Sequence, residues 1–279
     1  LIMRIYGLNI FSLKSLVYHF KEMFFSQLSI RIYVIKFLMK KFNLGSFERR
    51  LALDAFNYSA YAYGMYCAAL QAQSLGLKKI SAIEFGVGRG DGLISMEKYA
   101  IEIKNLTGVE FEIFGFDTGT GLPKSSDYRD QVYFWNEFDF TMNEQKLKDK
   151  LNSAKLIIGN IKSTINPFKK EQLTHPIGFI AFDLDYYTST LKSFDIFSVD
   201  DNLILPRVAC YMDDVGSTEL LVASKGTGVL KAIDEFNETS TNKKKIYKKE
   251  GLNISKSIPP YWYERIYVLH SFDHYNYNT

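Results

Sequence analysis

The run Ile80-Ser-Ala-Ile-Glu-Phe-Gly-Val-Gly-Arg-Gly-Asp-Gly92 limits what this chain can fold into more than any other stretch. A short apolar segment ends in an acid, Glu84, and breaks into Gly86, Gly88, Gly90 and Gly92. Leu93 to Ala100 then has helical composition and apolar spacing. A strand, a glycine turn and a helix in that order form the first crossover of a nucleotide-binding α/β sheet. Glycines take positive φ at no steric cost and let the backbone approach a ligand closely. A dinucleotide fingerprint would place its third glycine at position 91, which is aspartate here. A tight turn with no ligand is the alternative reading of the same residues.

The pattern present, Glu-x-Gly-x-Gly-x-Gly, resembles the first motif of class I S-adenosylmethionine-dependent methyltransferases. The resemblance implies a Rossmann-like α/β fold with a seven-stranded, mostly parallel sheet and helices on both faces. It places S-adenosylmethionine over the turn, with Glu84, Gly86, Gly88 and Gly90 at the cofactor. At 279 residues the chain suits one large α/β domain with an appendage. The expected division is a basic helical arm over 1–45 and the main domain over 46–279.

The remaining strands follow from composition. Glu110 to Phe116 alternates and ends at Asp117, 27 residues after Gly90, where such folds hydrogen-bond ribose hydroxyls. A turn-forming aspartate before Gly119 is the plainer role for that residue. Residues 124–143 hold Ser125, Asp127, Tyr128, Arg129, Asp130, Trp135 and Phe138, an irregular aromatic loop suited to a substrate lid. Lys155–Ile158 is a third strand, and the following Asn160 is placed to meet an adenine edge. Lys162–Phe168 reads as a connector, and Phe47 to about Leu75 as one alanine-rich helix in which a tyrosine row supplies packing. Ile177–Phe182 is apolar throughout, as expected of a strand buried on both faces. Leu205–Met212 gives a fifth strand, and Lys244–Lys248 and Trp262–Leu269 an antiparallel pair.

Two strand ends carry paired acids: Asp183 with Asp185, and Asp213 with Asp214. Neighbouring strands lie roughly 5 Å apart, so these carboxylates would repel unless a cation intervenes. An all-oxygen cluster suits a hard ion such as Mg²⁺ rather than zinc, and the histidines His19, His175, His270 and His274 are scattered. Aspartates at strand ends also cap helices and form turns. A hydroxyl beside a divalent ion and a carboxylate is a competent nucleophile for an in-line methyl transfer.

The stretches Glu84-Phe-Gly-Val-Gly-Arg-Gly, Gly115-Phe-Asp-Thr-Gly-Thr-Gly-Leu-Pro, Asp183-Leu-Asp-Tyr-Tyr-Thr-Ser-Thr and Asp213-Asp214 together resemble the macrocin O-methyltransferase family, over about residues 80–215. That resemblance implies a metal-dependent O-methyltransferase acting on a sugar or other small-molecule hydroxyl, and a homodimer. It puts Asp183, Asp213 and Asp214 on metal ligands and Asp185 on the general base. The chain departs from the family at Gly119-Thr120, at Tyr186-Tyr187-Thr188 and at Leu205-Pro206-Arg207, all bordering the expected substrate pocket.

Charge is uneven. Residues 1–43 hold seven basic residues against Glu22 alone, so they carry +6 of the formal net charge of +3, and the body is slightly acidic. A basic amphipathic segment with Ile30, Val34, Phe37, Leu38 and Phe42 at helical spacing docks on protein or lies on an anionic membrane. An acidic body argues against a nucleic-acid partner, and the lysines of 243–249 read as a guarded sheet edge. No uncharged apolar run reaches membrane-spanning length. Cys67 and Cys210 sit in apolar surroundings, which suggests a reducing compartment. A cytoplasmic protein, with membrane-peripheral contact open to the arm, is the expectation. The alternatives are a metal-independent methyltransferase using Asp185 alone, and a non-catalytic cofactor-binding module docking through residues 1–43.

Overall fold

Seven strands of one sheet organise most of the chain, and their order decides which residues meet. The computed structural model describes residues 4–5, 8–9, 30–240, 243–253 and 259–279. The chain divides into two compact units, Leu1–Asn57 with Asn253–Pro260, and Tyr58–Leu252 with Tyr261–Thr279.

In the first unit Arg4–Ile5 pairs antiparallel with Leu8–Asn9. Helix α1 spans Ile30–Phe42, as the apolar spacing predicts, and α2 spans Phe47–Ala52. Asn43 (φ 54°) and Gly45 (φ 90°) turn the chain between them, and the Ser46 hydroxyl accepts the Arg49 N–H to cap α2. Lys14, His19, Lys21 and Glu22 of the expected arm lie outside the described residues. The single helix expected from Phe47 to Leu75 is in fact two. Asp54 takes φ 54°, and the Ala55 N–H turns back to the Arg50 carbonyl, which ends α2. Alanine spacing runs through that break, so composition alone did not reveal it.

The second unit begins with α3 (Ser59–Ser74). Its sheet contains β1 (Lys79–Phe85), β2 (Glu110–Asp117), β3 (Lys155–Ile158), β4 (Ile177–Phe182), β5 (Ile204–Met212), β6 (Lys244–Lys248) and β7 (Ile266–Ser271). The spatial order is β3-β2-β1-β4-β5-β7-β6. The first five strands are parallel, and β7 runs antiparallel to both β5 and β6. The seven-stranded, mostly parallel sheet therefore has the expected form, with the reversal at the last pair.

Helices cover both faces. Buried alanines at 60, 62, 68, 69 and 72 keep α3 slim against β4 and β5, with α4 (Asp91–Thr107) beside it. On the other face α6 (Ile161–Glu171), α7 (Tyr187–Ser193) and α8 (Gly228–Thr239) enclose an aromatic core. There Phe85 lies 4.8 Å from Phe116 and 5.4 Å from Phe182, centroid to centroid. The expected connector at Lys162–Phe168 is helix α6. Pro167 lacks the N–H that a helix interior needs, which argues against a helix in sequence. Burial of Ile165 and Phe168, together with an Asn160 cap on the Lys162 N–H, outweighs that loss. A short helix α5 (Glu144–Lys148) precedes β3.

On α4 the buried Glu97 fastens the β3 approach. Its Oε1 accepts the N–H groups of Ser153 (2.6 Å), Ala154 (2.7 Å) and Asn152 (3.0 Å). Burial alone would raise its pKa, but these amides outweigh it and hold the carboxyl below the usual range. A depressed folded pKa stabilises the native state above the unfolded value, and that contribution disappears as pH falls through the folded one. Glu97→Gln is expected to cost about 1–3 kcal/mol at neutral pH. Urea unfolding at descending pH should show the gap from wild type closing in acid.

At the far edge, β6 carries the lysine run. Lys244 is buried, and its Nζ donates to the carbonyls of Phe197 (2.9 Å) and Val199 (3.0 Å). This lysine closes a loop and is not available to a nucleic-acid backbone.

Candidate active site

The carboxyl ends of β1, β2, β4 and β5 open onto a cavity of about 660 Å³. Its lining includes every residue that the sequence assigns to the cofactor, the cation or the base: Glu84, Gly86, Gly88, Gly90, Asp117, Asn160, Asp183, Asp185, Asp213 and Asp214.

The glycine turn is built around three close approaches, one of them at Gly90, where an added Cβ would lie 2.1 Å from Leu147 Cδ1. Gly86 has φ 85°, and a Cβ added there would lie 1.6 Å from the Asp183 carbonyl oxygen. Under the helix start, a Cβ on Gly92 would meet Glu84 Oε1 at 2.0 Å. Glu84 is buried, and its Oε1 accepts the Tyr61 hydroxyl at 2.8 Å, while Oε2 has no hydrogen-bond partner among the described residues. Burial pushes the Glu84 carboxyl up to about 8; the Tyr61 hydrogen bond opposes this, while Asp117 and Asp91 add to it. Tyr61, one of the tyrosine row read in sequence as packing, is thus the buried partner of Glu84. Tyr58 is the tyrosine of α3's entry that lines the cavity.

Asp117 holds the loop from the side. Its Oδ2 accepts the N–H groups of Val87 (3.0 Å) and Gly88 (2.9 Å), and its Oδ1 accepts that of Gly119 (2.7 Å). The turn-forming role and a cavity-facing position therefore coexist in one residue, since a carboxylate has about four lone-pair sites. Asn160 also does two things: it caps α6 through Oδ1 and lines the cavity.

Strands β4 and β5 pair in parallel with Phe182 opposite Met212, so the two acidic pairs emerge side by side. Asp183, Asp213 and Asp214 each offer a carboxylate oxygen, and the three lie within 4.8 Å of one another. Asp185 takes φ 59°, and its N–H donates to Asp214 Oδ2 at 3.0 Å. Asp183, Asp185 and Asp214 are all held above the usual carboxylate range, first by burial and then by the charge of neighbouring aspartates, with Asp213 acting on all three.

Three features of this cluster were not read from sequence. Arg265 donates to Asp213 Oδ1, and so does the Tyr211 hydroxyl. Asp139 lines the same cavity and adds a further negative charge facing Asp185. A topological signal for Arg265 did exist. Tyr211 stands opposite Ile266 in the β5–β7 pair, so an antiparallel β7 beside β5 puts the residue before it next to Asp213.

The aromatic loop is divided between support and lining. Asp130 is fully buried and accepts the Ser125 hydroxyl, the Thr188 hydroxyl (2.8 Å) and the Thr188 N–H (2.8 Å), which clamps the loop to α7. Trp135, Asp139 and Phe140 face the cavity.

No family model and no curated protein matches the chain. Among solved structures it is similar to the calicheamicin methyltransferase CalS11, at TM-score 0.52 and 17% identity, covering 94% of each chain. It is also similar to the O-methyltransferase NovP, at TM-score 0.50 and 12% identity, covering 76% of this chain and 79% of that one. At such identities the likeness establishes the fold, which is the Rossmann-like fold of class I methyltransferases.

Proposed function

We propose that this chain is an S-adenosylmethionine-dependent O-methyltransferase, assisted by a hard divalent cation such as Mg²⁺, acting on the hydroxyl of a small molecule or sugar. One observation carries the reading: a single cavity holds both the glycine turn of β1 and the carboxylates at the tips of β4 and β5. A fold-level likeness to CalS11 and NovP supports it.

In this reading Gly86, Gly88 and Gly90 present backbone to the cofactor, with Glu84, Asp117 and Asn160 around it. S-adenosylmethionine, when bound, supplies an electrophilic methyl group. Asp183, Asp213 and Asp214 would hold the cation, which would supply Lewis acidity toward the acceptor hydroxyl. The donor set fits a hard ion. It is all oxygen, its three atoms converge within 4.8 Å, and burial, with the charge of Asp213 behind it, holds Asp183 and Asp214 above the usual carboxylate range. Asp185 accepts the proton that the hydroxyl loses. Trp135 and Phe140 would give the acceptor an apolar wall.

A second reading, methyl transfer with no cation, is favoured by Arg265, a resident positive charge already bonded to Asp213. Calorimetric titration separates the two. S-adenosylmethionine should bind wild type and Asp213→Ala/Asp214→Ala, with a Mg²⁺ signal in wild type alone. Cofactor binding with no Mg²⁺ signal, even with acceptor present, would move the reaction to Asp185 alone. Absence of cofactor binding would end the enzyme reading.

A further inference from the structure

Among the described residues, Asp213 is the one carboxylate of the proposed cation-binding triad that is bonded to a cationic side chain. The tie comes from far along the chain. Arg265 closes the turn Tyr261–Arg265, and β7 then starts at Ile266 opposite Tyr211. Antiparallel pairing delivers the guanidinium to the tip of β5. There Arg265 Nη1 donates to Asp213 Oδ1 and lies 3.4 Å from the Tyr211 hydroxyl. The group is held from one more side. Its guanidinium carbon lies 5.0 Å from the centroid of the Tyr261 ring, a cation–π contact. A guanidinium so fixed is part of the site's architecture and not a wandering surface charge.

The charges set its purpose. Three ligand carboxylates are neutralised in full by one divalent ion together with one guanidinium, and by neither alone. We propose that Arg265 is a positioning residue that acts through Asp213: it balances one of the three ligand carboxylate charges and thereby sets the triad for a divalent rather than a trivalent cation. This rests on the cation-assisted reading above. Without the guanidinium the triad would have one net negative charge too many for a divalent ion. A trivalent ion gains more than a divalent one from each added negative charge, in proportion to its own charge.

The test uses the full-length protein with Mn²⁺, followed by electron paramagnetic resonance, and Tb³⁺, followed by luminescence sensitised by protein aromatics. Arg265→Gln should raise the ratio of Tb³⁺ to Mn²⁺ affinity about tenfold or more. Arg265→Lys should hold the wild-type ratio, and so should Tyr211→Phe, which removes a donor but no charge. Asp213→Asn should move the ratio the opposite way, because an unpaired guanidinium then opposes the ion, and it keeps the test open if Arg265→Gln does not fold. S-adenosylhomocysteine binding and circular dichroism check the fold of each variant. Equal loss of both affinities in Arg265→Gln would mean a merely structural role and overturn the proposal. Wild type that binds cofactor but neither ion would instead overturn the cation-assisted reading, and this proposal with it.

Discussion

Replacing Gly86 with alanine is expected to abolish stable folding of the second unit, or to cost about 4 kcal/mol or more where folding survives. The cause is backbone against backbone. The new Cβ would sit 1.6 Å from the Asp183 carbonyl oxygen, and no side chain can swing aside to relieve it. Positive φ at 85° adds a further penalty of about 1–2 kcal/mol for any residue with a Cβ. That approach sits where β1 and β4 are joined at their tips, the Asp183 N–H donating to the Phe85 carbonyl at 2.9 Å. Gly88→Ala provides the contrast. Gly88 has φ 53°, but nothing lies within 4 Å of its added Cβ, so only the backbone penalty of about 1–2 kcal/mol applies. Urea unfolding of the two variants, with calorimetric titration of S-adenosylmethionine into Gly88→Ala, separates architecture from ligand contact. A folded Gly88→Ala protein that loses cofactor affinity would mark Gly88 as a residue the cofactor needs close. Gly86→Ala within about 1 kcal/mol of wild type would refute the steric argument.

The same pair of glycines shows what the sequence could and could not tell. Strand, glycine turn and helix were legible because period, breakers and composition agreed, and the paired acids were legible because two strand ends repeated the same chemistry. Which glycine packs against protein and which has open space beside it was hidden, because it depends on β4 pairing beside β1, a contact between residues nearly 100 positions apart. Arg265 was hidden for a similar reason. No local spacing links it to Asp213, and only the register of β7 against β5 does. Helix α6 was missed because Pro167 is a true local signal against a helix, overruled by burial that sequence does not display. Errors of this kind fall where tertiary contact outweighs local propensity.

Asp185→Asn is expected to lower kcat by about 10²–10⁴-fold while making the protein more stable. The two signs follow from one geometry. Asp185 is buried at φ 59°, a conformation asparagine accepts well, and the hydrogen bond it gives Asp214 comes from its backbone N–H. The substitution therefore leaves the turn intact and removes only the charge and the basic oxygen. Burial and the charges of Asp214, Asp213 and Asp139 hold the Asp185 carboxyl above its ordinary range. An acid with a raised folded pKa costs stability at every pH above its unfolded value, and the cost grows until the folded value is passed. Asparagine carries no such cost, so unfolding at neutral pH in EDTA should show a gain of about 1 kcal/mol or more. Loss of the base should leave S-adenosylmethionine affinity unchanged, because the transferring methyl group and not the cofactor's binding depends on it. Activity that survives in a protein made less stable would assign Asp185 to the turn alone. Activity lost together with stability would point to a fold defect. Only activity lost from a more stable protein identifies a carboxylate held in an unfavourable place for the sake of its chemistry.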